Sequence, residues 1–286
     1  LNVSTGIQNT IIGSQAGDVL TDADDNVAVG YAALGSDTLG SRSIAIGKEA
    51  LFNQNFTTAT NTYNVAIGWQ SGHDITTGAN NTFVGGLAGD KVTTGSSNTF
   101  IGQNAGTGGV NLTTGGSNTL VGGDMDTTAA DSDEAMGFGF NLNCEAGFTT
   151  LGAGGSDIRA AHGNVTWATV SDQRYKKDIV DSTAGLSFIN ALQPRTFKYK
   201  TLGELPETFT AYEADSTEVF KNSNTNHGFI AQEVKAAIDA DSSIKDGFRL
   251  WDDREDGSQE VAEAALIPIL VKAIQELTTR VAELEG

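Results

Sequence analysis

A short hydrophobic phrase recurs along the first part of the chain, separated by polar, glycine-rich turns. Each phrase runs through a polar residue, an apolar residue, a small or apolar residue, Ile or Val, and glycine. The final glycines lie 17, 17, 21, 17, 17 and 20 residues apart, so the phrases keep a nearly constant period. The seven phrases are 9–13, 26–30, 43–47, 64–68, 81–85, 98–102 and 118–122.

Each phrase predicts a β-strand, because β-branched and aromatic residues favour extended backbone. We expect those residues to point inward, and the glycine to let the backbone turn or approach a neighbouring chain closely. No single repeat can bury its apolar side chains alone, so the repeats must stack or three chains must wrap together. The pattern predicts a mainly β, solenoid-like fibre over residues 1–125, followed by degenerate repeats over 126–170.

Beyond residue 170 the pattern is that of a smaller α+β domain. Residues 182–192 predict a short helix with a Ser or Thr N-cap. Residues 195–200 alternate like a strand, and 227–230 predict a strand that continues into a helix over 231–238. Residues 248–251 predict one more strand.

The last predicted element is a long helix with a heptad seam. Its apolar residues are spaced 3, 4, 3, 4 and 3 apart, which is typical of a coiled coil. Isoleucines and leucines at these positions suit more than two chains. Packing of the same stripe on the domain's own core is the alternative. The seam consists of Ile267, Leu270, Ile274, Leu277, Val281 and Leu284.

Composition and charge change where the pattern changes. Residues 1–170 hold 29 of the 35 glycines and none of the prolines, with four basic against fifteen acidic residues. Residues 171–286 hold all three prolines and 13 basic against 21 acidic residues. This break favours a domain boundary near residue 170. The net charge of −19 argues against a nucleic-acid partner, and no apolar run is long enough for membrane insertion.

The junction between the two parts carries a candidate nucleophilic site. Ser171 lies where the β-rich stretch ends, and Lys176 follows five residues later. A serine and a lysine can cleave an amide without histidine if the lysine is neutral enough to accept the hydroxyl proton. Burial favours that neutral form, because desolvation disfavours the ammonium ion. Spacing alone is a weak indication, since such pairs are common.

Three motifs in the second part, at 171–179, 227–234 and 266–277, give that pair more weight. In order and distance they resemble the opening signature, central phrase and closing helix of one family. This family is the intramolecular chaperone domain of phage tail spikes, endosialidases and the myelin regulatory factor. The family usually has leucine where Tyr175 stands. The motifs begin Ser171-Asp-Gln-Arg174-Tyr-Lys176, His227-Gly-Phe-Ile-Ala-Gln232 and Leu266-Ile-Pro268-Ile-Leu.

The resemblance implies a chaperone domain over 171–286 that folds as a trimer, aligns the β-chains ahead of it and then cuts itself off. The cut is expected between Ser171 and Asp172, with Ser171 as the nucleophile and Lys176 as its base. Attack by a serine on its own carbonyl needs a strained small ring, so backbone distortion or an adjacent subunit must supply the geometry. A domain that keeps the fold without cutting is the alternative. We expect Asp172 and Arg174 to form a structural ion pair.

The repeats resemble the head repeats of trimeric autotransporter adhesins and repeats of phage tail fibres, over about residues 5–125. Both resemblances together imply part of a viral tail fibre or receptor-binding appendage, assembled in the host cytoplasm and carried on the virion. The implied partners are two further copies in a homotrimer, a host-surface glycan or protein receptor, and other tail proteins upstream. A bacterial trimeric surface adhesin and a glycan-degrading tail-spike fragment with a non-cleaving chaperone are the alternatives.

No cofactor and no metal centre are expected from the sequence. One acidic turn, with Asp22, Asp24 and Asp25, could hold a calcium ion, since hard cations bind several carboxylate oxygens. A solvated turn is the preferred interpretation of these residues.

Overall fold

The computed structural model of the protein describes residues 4–164, 166–242, 244 and 250–286. The chain divides into two compact units, Leu1–Tyr175 and Lys176–Gly286. We call them the shaft unit and the terminal unit.

The shaft unit is a β-solenoid of about eight turns, as the repeats predicted. Each phrase contributes one strand to a ten-stranded sheet, in which the first nine strands pair in parallel. The strands are Thr10–Ile12, Val27–Val29, Ile44–Ile46, Val65–Ile67, Thr82–Val84, Thr99–Ile101, Thr119–Val121, Met136–Phe140, Phe148–Ala153 and Ser156–Ala161. Two short parallel pairs join Gly40–Ser41 to Thr60–Asn61 and Asp126–Thr127 to Asn143–Cys144.

The central residue of each phrase points into the solenoid. Ala28, Phe83 and Phe100 are fully buried, and the two phenylalanine rings lie 5.3 Å apart between centroids. Turn residues such as Leu51 and Ile75 complete the same core. Equivalent side chains therefore stack from one turn to the next, which is how short repeats share one core.

The prediction that the β-branched residues point inward is wrong for the fourth position of each phrase, the Ile or Val that precedes the glycine. Side chains alternate along a strand, so burying the central residue turns its neighbours to the opposite face. This position is solvent-exposed or half-exposed on every turn. We call these residues the outer column: Ile12, Val29, Ile46, Ile67, Val84, Ile101, Val121 and Phe138.

The glycine that ends each phrase is required by its backbone. Gly85 has a φ of +139°, and a Cβ added there would lie 2.3 Å from the carbonyl oxygen of Gly102 in the next turn. The close approach is present, but the neighbour is the next turn of the same chain and not another chain as predicted.

The polar residue that opens each phrase forms a buried ladder. The Asn98 backbone N–H donates to Oδ1 of Asn81 at 3.0 Å, and the Asn118 N–H donates to Oδ1 of Asn98 at 3.1 Å. The Asn98 side-chain amide also donates to the carbonyl of Gly115 at 3.0 Å. Buried polar groups need such partners, which explains why the phrase begins with asparagine.

One turn departs from this ladder, because Ser43 stands where the other phrases have asparagine. The Gln54 amide fills the gap and donates to Oγ of Ser43 at 2.9 Å and to Oδ2 of Asp37 at 2.6 Å. Asp37 is fully buried, and desolvation raises the pKa of its carboxyl group above the ordinary value.

The terminal unit is a small α+β structure. Strand Arg195–Phe197 pairs antiparallel with Asn226–Gly228, and Trp251–Asp253 pairs antiparallel with Gln259–Val261. Its helices are α1 (Leu186–Ala191), α2 (Ala231–Ala240) and α3 (Ile267–Glu285), with 3-10 turns at Leu202–Glu204 and Glu263–Leu266. The predicted elements are present with shifted bounds; residues 248 and 249 of the last predicted strand lie outside the described residues.

The predicted N-cap of the first helix is wrong. Helix α1 begins at Leu186, after Gly185, and has no side-chain cap from its own segment. Instead the Leu186 N–H donates to the carboxylate of Glu276 in α3 at 2.9 Å. A carboxylate at a helix N-terminus is favourable, so a residue distant in sequence takes the place of a Ser or Thr cap.

Helix α3 uses one face inside its own unit and leaves another uncovered. Ile269 and Ala273 are each 4% exposed, and Ile269 packs with the core formed by Phe188, Val234 and their neighbours. The heptad seam lies on a different face and is exposed over its whole length, from 42% at Leu270 to 87% at Leu284. Packing of the seam on the domain's own core is therefore wrong for the single chain.

Candidate functional site

The chain that enters the junction is paired to the end of the shaft. The sheet closes with an antiparallel hairpin formed by Phe148–Ala153 and Ser156–Ala161. Beyond it, Arg159 and Ala168 exchange backbone hydrogen bonds of 2.8 and 2.7 Å in an antiparallel bridge. The Thr169 hydroxyl donates to the Asp157 carbonyl at 3.2 Å. Residues just before Ser171 are thus held along the edge of the closing hairpin.

The chain that leaves Ser171 is folded into a tight turn. Gln173–Tyr175 form a 3-10 turn, in which the Tyr175 N–H donates to the Asp172 carbonyl at 3.1 Å. The Asp172 carboxylate accepts from the Arg174 backbone N–H at 2.8 Å and from its guanidinium at 2.7 Å. These bonds hold the pKa of Asp172 below its usual range. The expected Asp172–Arg174 ion pair is confirmed.

Ser171 and Lys176 lie on opposite sides of the division between the two units. Ser171 is in the shaft unit, Lys176 is the first residue of the terminal unit, and both are exposed in the single chain. The burial expected around the lysine is therefore not present in one copy.

Two further candidates among the described residues are Cys144 and the acidic turn at 22–25. Cys144 is buried and desolvation raises the pKa of its thiol to about 11, so it is a poor nucleophile. In the acidic turn considered for calcium, Asp22 accepts from Thr5, Asp24 accepts from the Ile7 N–H, and Asp25 pairs with Arg42. Within the described ranges, no group of His, Cys, Asp and Glu side chains could hold a metal ion.

Sequence reasoning missed the pairing of Ala168 and Thr169 with the closing hairpin. These are small residues without a motif, and the bonds that fix Ala168 come from its backbone. The only available signal was their position immediately before Ser171. In the described part of the chain, no helix has both the length and the apolar character needed to cross a bilayer.

These features define a class of protein: a β-solenoid that runs through a structured junction into a small α+β terminal unit. Residues 171–242 match the family described as chaperone of endosialidase, a family of self-cleaving chaperone domains associated with phages. The match begins at Ser171 and ends before α3, so it includes the first two motifs and leaves the third outside. With the solenoid, it fits a tail fibre with a C-terminal chaperone domain. No curated protein and no solved structure matched the chain.

Proposed function

We propose that the chain is the C-terminal part of a viral tail fibre or receptor-binding appendage that assembles as a homotrimer. The domain over 171–286 acts as the trimerisation chaperone and then cuts the chain between Ser171 and Asp172. The cleaved chaperone is released, and the shaft stays on the virion, between other tail proteins upstream and a host-surface glycan or protein receptor.

The observation that carries this proposal is the uncovered seam of α3. One face of α3 already packs on the core of the terminal unit. The six large apolar side chains of the seam, at heptad spacing on another face, make no such contact among the described residues of the chain. Exposure of such a row to water is unfavourable by roughly 25 cal/mol for each Å² of apolar surface. Three copies that pair their seams would remove it from water, and Ile and Leu at these positions suit more than two chains.

The outer column of the shaft supports the same assembly. Its members lie in register on successive turns, and Ile46, Ile67 and Ile101 are 37%, 38% and 40% exposed. A continuous apolar row along a flat sheet is a docking or aggregation surface unless it is covered. Three shafts that face one another would cover three such rows at once. Alignment by the terminal unit would then prevent pairing one turn out of register.

For the cut, Lys176 Nζ accepts the proton of the Ser171 hydroxyl as its oxygen bonds to the scissile carbonyl carbon. The carbon–nitrogen bond to Asp172 then breaks, and the proton returns to the leaving amine. Water hydrolyses the resulting ester and frees the hydroxyl. Attack within one residue closes a strained four-membered ring. We therefore place the reaction in the trimer, where a neighbouring copy can supply the hydroxyl or the base.

The test is a denaturing gel of the expressed chain beside Ser171→Ala, Lys176→Ala and Lys177→Ala. We expect the parent and Lys177→Ala to give a fragment that ends at Ser171, confirmed by mass spectrometry. Ser171→Ala and Lys176→Ala should stay whole. Lys177 is the matched control, because it is an adjacent, exposed lysine without a proposed role. An uncut parent, or a cut that persists in Ser171→Ala, would contradict the dyad.

A further inference from the structure

The Ser171–Asp172 bond lies between two segments of the shaft unit that hydrogen bonds hold in place. On one side, residues 166–169, which we call the presentation strand, are held by the Arg159–Ala168 bridge and the Thr169 side chain. On the other side, Asp172 begins the turn that its own carboxylate closes on Arg174. The path of the chain through the bond is therefore set from both ends.

The partner of the presentation strand is itself firmly placed. The Arg159 guanidinium pairs with the Glu145 carboxylate and lies 4.9 Å from the centroid of the Phe148 ring. Arg159 also faces Thr150 across the closing hairpin. The edge that receives Ala168 consequently exists only once the last turns of the solenoid have folded.

Only a short segment of chain, the tether, connects the Arg159–Ala168 bridge to the scissile bond. Ser171 lies three residues beyond Ala168, so a fully extended chain allows it at most about 10 Å from the bridge. We propose, resting on the cut proposed above, that the presentation strand positions the Ser171–Asp172 bond. It makes the cut depend on a folded shaft end. Before the closing hairpin forms, the bond is mobile and rarely meets the reactive geometry; afterwards it is held in place.

The test lengthens the chain on either side of the Arg159–Ala168 bridge. One variant adds residues between the bridge and Ser171, and the other adds them before the bridge. Two glycines inserted after Thr169 lengthen the tether by about 7 Å and leave the bridge intact. Two glycines inserted after Gly163 lengthen only the turn before the presentation strand, where a side chain would meet nothing within 4 Å. We expect the first insertion to slow the cut roughly ten-fold or more, and the second to leave its rate within about two-fold.

A substitution tests the bridge itself. Ala168→Pro removes the N–H that donates to Arg159, whereas Ala168→Ser keeps it at the same exposed position. The proline variant should cut slowly and the serine variant at the parental rate. Trimer content and thermal unfolding are measured on both variants in the uncut Ser171→Ala background. Neither property should differ between the proline and the serine variant. A purely structural role would change these two measurements together with the rate.

The outcomes separate the two proposals. If the parent cuts and both insertions cut at its rate, the presentation strand has no positioning role and the inference is overturned, while the dyad stands. If the parent stays whole while its trimer forms, the dyad and the inference both fall. Slow cutting confined to the Thr169 insertion and Ala168→Pro supports the inference.

Discussion

The shaft unit and the terminal unit bury their apolar residues in opposite ways. In the shaft, the central residues of the phrases and the turn residues form one continuous core, and the asparagine ladder satisfies the buried backbone. In the terminal unit a small core gathers around Phe188, Val234 and Leu266, while α3 exposes a full heptad seam. The shaft buries its central residues within one chain, whereas the terminal unit leaves the α3 seam uncovered in a single copy.

Under the proposed trimeric assembly, this difference gives the two units complementary roles. A repeat array is stabilised by its nearest neighbours, and such arrays pair with other chains in any register that matches their period. The outer column repeats nearly identically on each turn, so it offers little to select the correct register. The seam is short, non-repeating beyond three heptads and located at one end. Association there first would fix the register before the shafts pair.

The largest effect is expected from charges placed in the seam of α3, which lies in the terminal unit and not in the shaft. Ile274→Glu combined with Leu277→Glu places charges at two seam positions and leaves the buried Ile269 and Ala273 untouched. We expect the trimer to be lost and the cut with it, while the helical content of the terminal unit is kept. Light scattering after size-exclusion chromatography, circular dichroism and the denaturing gel measure these three properties.

The matched control for the seam is Thr279→Glu, which adds a charge at an exposed position of α3 outside the seam. It should remain trimeric and cut like the parent. A parent that is already monomeric, or a doubly charged seam that still trimerises, would contradict the role given to α3.

The second effect concerns the shaft alone. Gly85→Ala would place a Cβ 2.3 Å from a backbone carbonyl at a φ of +139°, so the turn must distort. We expect a loss of about 3 kcal/mol or more in the free energy of unfolding. Gly86→Ala is the control, because no atom lies within 4 Å of its added Cβ. Denaturant unfolding in the uncut Ser171→Ala background compares the two, and equal midpoints would argue against the close approach.

The repeats of the shaft allow its strands and their register to be predicted, but not the direction of its side chains. Recurrent asparagine and glycine fix the register between turns, because each makes a contact with its counterpart one period away. The direction of the side chains was not predictable, since phrases such as 64–68 have apolar residues on both faces. Turn residues such as Leu51 and Ile75 decide it, because they fill the core on the side of the central residue.

The junction shows a similar limit. Ser171 and Lys176 were found through a resemblance, since their spacing alone carries little information. The bonds that hold Ala168 are made by its backbone and depend on a hairpin that the degenerate repeats did not reveal. The cap of α1 by Glu276 was equally hidden, because its two partners lie 90 residues apart.

The smallest expected effect concerns the one turn where Ser43 interrupts the asparagine ladder. Asp37 accepts from the Gly40 and Phe56 N–H groups and from Gln54, yet its burial raises the pKa of the carboxyl group. In the unfolded chain this pKa is about 3.9. A raised pKa means that the folded state holds the proton more tightly, so the stabilisation is complete below the unfolded pKa. It is lost as the pH rises through the folded pKa.

Asp37→Asn isolates this contribution, because asparagine can still accept from both backbone groups through Oδ1 but does not titrate. Its amide would meet the Gln54 amide, so a constant cost is expected at every pH. The pH-dependent part is the informative one: from pH 4 upward, the parent should lose stability relative to Asp37→Asn and then level off above the folded pKa. Denaturant unfolding of both proteins in the Ser171→Ala background, at several pH values, measures the difference. A parent that instead gains stability over Asp37→Asn as the pH rises would show that the hydrogen bonds from Gly40, Phe56 and Gln54 outweigh desolvation, and that this turn tolerates a charge within the shaft core.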